Sequence, residues 1–224
     1  CKIDDGSKAQ NVERDESGHV QVVCGAPNVR AGLKVVWLPP GVTVPSTFDK
    51  DPFVLGAREL RGVVSNGMLA SATELAISDD HRGIVELEED AMPGTYFAEA
   101  FGLNDYIIDI ENKMFTHRPD CFGILGVARE IAGIQGKKFT SPDWYLQGQL
   151  EVGDGPVRVD VQTALVPRFM AVRIDNVSVG PSPMWLQAEL ARVGLKSIDN
   201  IVDITNYLSY VTAQPLHAYD ADKL

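Results

Sequence analysis

The chain has 224 residues, 45% of them hydrophobic and 23% charged, with 31 acidic against 20 basic side chains and a formal net charge of -11. That length holds two or three modules, and no run approaches the ~20 apolar residues of a membrane span. The acid excess excludes attachment to nucleic acid through an overall positive field, so any such contact has to be local. Cys1, Cys24 and Cys121 form no CxxC pair and lie far apart, which fits neither a zinc site nor a secreted disulfide framework and suits a reducing cytoplasm. The opening "CKIDDG" reads as the inside of a strand, and the chain is expected to be a fragment of a longer polypeptide.

From Gln21 to about Ala100 the elements are short strands: "VQVVC", "KVVWL", "FVLGARELRGVV", "GMLASATELAI" and "GIVELEE", parted by Gly, Pro and Asn turns. A small antiparallel barrel is the economical arrangement, with "GAPNVRAG" and "VVSNGML" on its turns or rim and the acidic run of residues 86 to 90 at a solvated strand end. "RPDCFGILGVAREIAGIQG" then places Asp120 to cap a helix whose apolar residues surround it almost completely, so that it is expected to be buried between elements, with Gly136 closing it. The following Gly- and Pro-rich stretch is a connector, with a boundary near residue 155.

In the last segment "VRVDV" and "FMAVRIDNVSV" alternate as strands do, Ser182 and Pro183 open a helix that Gly194 ends, and a second helix is expected from Ser197 to about Thr212. On this second helix Ile201, Ile204, Leu208 and Val211 line one face while Asp199, Asp203 and Asn206 share the opposite one. Pro215 forbids its continuation, so "LHAYD" is extended, with His217 and Tyr219 on one side. The fold class is α+β and multi-domain: a small antiparallel β-barrel over 1–104, a connecting module with a buried helix over 105–155, and a truncated α+β domain over 156–224.

Two loops of the barrel hold the first chemical candidates. Gly25 and Gly32 allow a tight path around Asn28 and Arg30, and the second loop sets Arg61, Ser65, Asn66, Met68 and Ser71 along one turn. Such side chains bond phosphate and sugar and offer an apolar surface to a base. The same residues serve equally as a hairpin turn with solvated arginines, Asn-Gly being a common hairpin signal. Arg168 and Arg173 belong with surface arginines that pair with carboxylates. The sequence holds no phosphate-cradling glycine loop followed by lysine and no metal-ligand cluster.

"CGAPNVRAGLKV" followed by "LRGVVSNGMLAS" closely resembles the tRNA-binding oligonucleotide-binding fold (OB-fold) of bacterial phenylalanyl-tRNA synthetase β subunits and of some free-standing tRNA-binding proteins. "HRPDCFGILGVAREIAG" resembles the β subunit's "NRPDC" segment and following helix, and "SIDNIVDITNYLSYVTAQPLHAYD" resembles the start of its editing domain. Three motifs in the family's order cover nearly the whole chain. His117 stands where the family has Asn, and Asn200 where some members carry an arginine that shapes the editing pocket, so neither is assigned a catalytic role.

The resemblance implies part of an aminoacyl-tRNA ligase that attaches phenylalanine to its tRNA, with tRNA contacts at Asn28, Arg30, Arg61, Ser65, Asn66, Met68 and Ser71. It also implies part of a site that hydrolyses tyrosyl-tRNA, in which Asn206 and His217 are the matched candidates. The implied partners are tRNA and an α subunit in an α2β2 heterotetramer, in the cytoplasm and with no membrane. ATP and magnesium are implied for the parent enzyme, and no cofactor or metal for the fragment. The alternative is a free-standing tRNA-binding or scaffold module with no catalytic role, which leaves the second half of the chain without an explanation.

Overall fold

A computed structural model of the chain describes residues 1–146 and 157–224; the boundary expected near residue 155 lies outside the described residues. The chain forms two compact units, one of residues 1–110 with 182–198, the other of residues 111–181 with 199–224.

The first unit is built from eight short strands hydrogen-bonded in antiparallel pairs. β1 (Lys2–Ile3) pairs with β2 (Val20–Gln21), β3 (Lys34–Val35) with β8 (Glu86–Leu87), β4 (Trp37–Leu38) with β7 (Met68–Leu69), and β5 (Ala57–Leu60) with β6 (Val63–Asn66). Side-chain alternation along residues 35–38 explains the core, because Val36 and Leu38 enter one buried cluster while Val35 and Trp37 pack against another. Leu69 and Ala70 divide in the same way, as do Ile84 and Val85. These segments therefore form a partition apolar on both faces.

The expected closed barrel is not formed as one continuous ladder among the described residues; the strands stand as four two-stranded sheets. Single backbone bonds join some of them, from Ala70 N–H to the Val36 carbonyl at 2.9 Å and from Val85 N–H to the Ala70 carbonyl at 2.8 Å. Elsewhere side chains take the place of ladder bonds: the Ser65 hydroxyl accepts from Val23 N–H and the Asn28 carbonyl oxygen accepts from Ile84 N–H. Pro39 and Pro40 follow β4 directly and donate nothing to a ladder.

A short helix α1 (Phe97–Ala100) follows the strands. Beyond it the irregular stretch 104–110 leaves Tyr106, Ile107 and Ile108 in solvent. In the second unit, α2 (Ile124–Ile134) follows the 3-10 turn Pro119–Phe122, and α3 is the turn Asp143–Leu146. Asp120 does not cap α2. Gly123 holds the N-cap position without a side-chain bond, and the Asp120 carboxylate is taken instead by Arg118 in a two-point pair at 2.9 Å and by Arg129 at 3.2 Å. Phe122, Ile124, Ile131 and Ile134 are exposed, and Gly126 is the buried residue of this helix.

Helix α4 (Met184–Arg192) belongs to the first unit, where Met184, Leu186, Ala188 and Leu190 are buried. Pro183 precedes it as expected, and Gly194 at φ +75° follows it. Helix α5 (Asn200–Thr212) starts later than Ser197 because the Asp199 carboxylate caps it, accepting from the N–H groups of Ile201 and Val202 at 2.9 Å. Its orientation differs from the sequence expectation: Asp203 is fully buried, whereas Ile204 is exposed. Residues 157–179 run without regular ladders and leave Phe169, Met170 and Ile174 exposed. Among the described residues no helix is long and apolar enough to cross a membrane.

Candidate nucleic-acid contacts and editing-pocket residues

The hairpin β5–β6 turns at Arg61 and Gly62, both in the left-handed region at φ +53° and +78°. Residues 57 to 64 are all exposed, whereas Ser65 and Asn66 at the hairpin's base are buried. Both have side-chain groups bonded within the fold. The Ser65 hydroxyl donates to the Gly67 carbonyl at 2.9 Å while accepting from Val23 N–H at 3.0 Å. The Asn66 amide donates to the Gln21 carbonyl at 3.2 Å, and its backbone oxygen accepts from the Trp37 indole at 2.8 Å.

Ser71 is buried against Glu74, whose carboxylate accepts from both the Ser71 hydroxyl and its backbone N–H. Met68 packs half-buried on the first core cluster. Asn28 faces inward, its amide nitrogen donating to the Ile84 carbonyl at 2.9 Å and to Glu86 at 3.0 Å. Arg30 is exposed and pairs at two points with Glu86, at 3.0 and 2.8 Å. That guanidinium, and after it the Asn28 amide, hold the Glu86 carboxyl below its ordinary range.

Of the seven loop candidates, the fold thus brings Asn28 and Arg30 together at Glu86 and turns Ser65, Asn66 and Ser71 inward. Arg61 projects from the hairpin tip with no ion pair among the described residues. Sequence reasoning passed over the surroundings of that tip. A groove of about 350 Å³ runs between the hairpin and the β1–β2 edge, lined by Cys1 and Lys2, by residues 21–24, and by Leu60, Arg61 and Val63. Across the hairpin Leu60 is the register partner of Val63, and that pairing was the signal available in the sequence. Beside the hairpin, the Arg58 guanidinium sits 5.5 Å from the centre of the Phe53 ring.

In the second unit Asn206 lies half-buried on α5 and His217 is exposed beyond it. Ala213 ends the helix in the left-handed conformation at φ +60°, and the chain turns back so that Leu216 N–H donates to the Ser209 hydroxyl at 3.2 Å. Ser209 is three residues from Asn206 and shares its side of the helix. The His217 ring meets Tyr219 edge-on, with centroids 4.7 Å apart, as an extended 217–219 stretch requires. Asn200 is occupied by structure: its amide donates to the Ser178 carbonyl at 2.9 Å and its side-chain oxygen accepts from Gly180 N–H at 3.2 Å. Among the described residues there is no cluster of three or more His, Cys, Asp or Glu that could hold a metal ion.

A family model described as a putative tRNA binding domain matches residues 1–96, and one described as a B3/4 domain matches residues 165–224. The chain is 44% identical over 226 aligned residues to the phenylalanine-tRNA ligase beta subunit of Rhodopseudomonas palustris, an alignment that takes in all of this chain and 26% of that protein. It is 43% identical to the beta subunit of Desulfotalea psychrophila over 91% of this chain and 24% of the relative, and 41% identical to that of Brucella abortus over 98% and 27%. The chain spans about a quarter of the length of the curated relatives it matches. Both domain matches lie in sequence order, and along its whole length the chain is similar to about a quarter of these phenylalanine-tRNA ligase beta subunits.

Proposed function

We propose that the chain serves as part of a phenylalanine-tRNA ligase β subunit, contributing tRNA contacts from its first hundred residues and part of a hydrolytic editing site from its last sixty or so. The observation that carries this reading is the pairing of a tRNA-binding match with a B3/4 match in one chain whose relatives are named for that enzyme. In this proposal residues 1–104 close into an OB-fold barrel in the complete subunit, 105–155 connect, and 156–224 begin the editing domain. The whole enzyme attaches phenylalanine to tRNA in the cytoplasm, assembled with an α subunit as an α2β2 heterotetramer, and requires ATP and magnesium. The described residues offer no donor set for the metal, so no step is assigned to either group here.

Editing answers a physical limit. A pocket that accepts a phenyl ring rejects one carrying an added hydroxyl by only ~100-fold, judged from comparable apolar pockets. Hydrolysis of tyrosyl-tRNA at a second site supplies the missing discrimination. A water oxygen bonds to the ester carbonyl carbon, the acyl bond to the ribose oxygen breaks, and a proton from the water ends on that ribose oxygen. His217 positions the water or passes its proton, and Asn206 holds the terminal ribose or the amino acid through its amide. Tyrosyl-tRNA deacylation by the full-length subunit in its holoenzyme tests the assignment: His217→Ala is expected to lower the rate at least tenfold, the low end of general acid-base effects being about a hundredfold. A wild-type rate in that variant removes His217 from the site.

A further inference from the structure

We propose that the groove between the β5–β6 hairpin and the β1–β2 edge receives a nucleobase from an unpaired stretch of RNA, with Arg61 and Lys2 facing the flanking phosphates. The inference rests on the tRNA-binding reading and keeps Arg61 alone of the seven loop candidates. Ser65, Asn66 and Ser71 each have a side-chain polar group engaged within the fold, and Asn28 is committed to Ile84 and Glu86. A ligand that competed for those groups would have to break bonds that hold the strands together.

The groove has the opposite character. Its lining residues Leu60 and Val63 are apolar and still exposed, by 45% and 41%, although they sit side by side. Its volume of about 350 Å³ falls at the small end of ligand-sized cavities. Arg61 lines it with no carboxylate pair among the described residues, and Lys2 lines it with half of its side chain exposed and its ammonium paired with Asp15 at 2.8 Å. Single-stranded nucleic acid binds where a groove joins cations to faces that a base can lie against, most often aromatic ones; here the aliphatic Leu60 and Val63 supply that face and Arg61 the cation. On a chain of net charge -11, an unpaired arginine in such a groove supplies local charge complementarity to phosphate that the overall field does not. A base stacked in a duplex cannot enter, so unpaired RNA is preferred.

The test uses the full 224-residue chain at low salt, with a short oligouridylate, an RNA duplex of equal length and whole tRNA as probes, read by fluorescence anisotropy. Oligouridylate and tRNA are expected to bind more tightly than the duplex. Leu60→Asp is expected to weaken both by about tenfold, the loss of one good base contact, and Arg61→Gln to reduce the slope of log affinity against log salt by about one. Because Cys24 lines the groove, its alkylation by N-ethylmaleimide in the unmodified chain, followed by peptide mass, is expected to slow when oligouridylate is bound. That measurement decides the matter should Leu60→Asp fail to fold. If tRNA binds while both variants retain wild-type affinity and Cys24 labelling is unchanged, the groove is overturned and the tRNA-binding reading stands, with the groove left to an apolar protein side chain. If neither tRNA nor oligouridylate binds the chain, both are overturned.

Discussion

Asn28 grips Ile84 by both of its backbone groups, accepting from its N–H at 3.0 Å and donating to its carbonyl at 2.9 Å. A residue that the motif presents as a nucleic-acid contact is a brace between two segments 56 positions apart. Asn28→Ala is therefore expected to lose about 1–3 kcal/mol of stability, the cost of leaving partly buried backbone groups without that partner. Arg30→Ala, which removes an exposed ion pair to Glu86 and an exposed bond to the Asn28 carbonyl at 3.3 Å, should change stability by less than about 1 kcal/mol. Urea denaturation of the two variants checks the contrast, and equal midpoints would rule the brace out.

Arg61 adopts a backbone conformation that costs a non-glycine residue energy, φ +53° followed by Gly62 at +78°. Replacing it by glycine relieves that cost and adds freedom to the unfolded chain, so Arg61→Gly is expected to be neutral to stabilising by up to about 1 kcal/mol. Its tRNA affinity should fall all the same, because the cation is gone. Arg61→Ala keeps the backbone cost and should match the wild type in stability. Thermal melts set beside tRNA titrations separate the two effects.

Close approach explains two glycines in the "RPDCFGILG" stretch. A methyl group on Gly126 would overlap the Asp120 carbonyl oxygen, and one on Gly123 would overlap the Ala213 nitrogen just past α5. Both obstacles are backbone, so neither can swing aside. Gly126→Ala is expected to cost about 1–3 kcal/mol despite the better helix propensity of alanine, whereas Gly133→Ala, which meets open space on the same helix, should gain a few tenths. Denaturation followed by far-UV circular dichroism compares them.

Acid should loosen the first unit through Asp5. Two hydrogen bonds from Arg14, at 2.6 and 2.9 Å, hold its carboxyl at about 2; burial pulls the other way, and the Ala9 N–H adds to the lowering. A carboxyl depressed on folding stabilises the fold fully above its unfolded value near 3.8 and gives up that contribution as pH falls toward its folded value. Urea midpoints should therefore drop between about pH 4 and pH 2 more steeply in the wild type than in Asp5→Asn. Parallel pH profiles would show that the pair contributes nothing.

Apolar alternation made much of the β-rich half legible: Val35 through Leu38 divide between two clusters as period two demands, and the ends of α4 follow from Pro183 and Gly194. What stayed illegible depended on partners supplied by other segments. Asp120 precedes a helix in the manner of a cap, yet Arg118 beside it and Arg129 on the helix offer its carboxylate more than backbone N–H groups do. Asp203 and Ile204 are adjacent, and a count of apolar positions puts the wrong one inside because it weighs only the helix itself. Ser65 and Asn66 read as exposed turn residues because the Val23 amide and the Gln21 carbonyl that engage them lie more than 40 residues away. His217 and Asn206 rest on the motif alone; the helix end at Ala213 accounts for how the chain returns toward Ser209.

The uncovered stretch around Tyr106 and Ile108 has a colloidal consequence. At low ionic strength mutual repulsion between copies carrying -11 each keeps these oily segments apart. Salt that shortens the reach of that repulsion to about 10 Å lets them meet. Light scattering should then climb over the same salt range in which the proposed RNA contact weakens, so that a single ionic titration reports both.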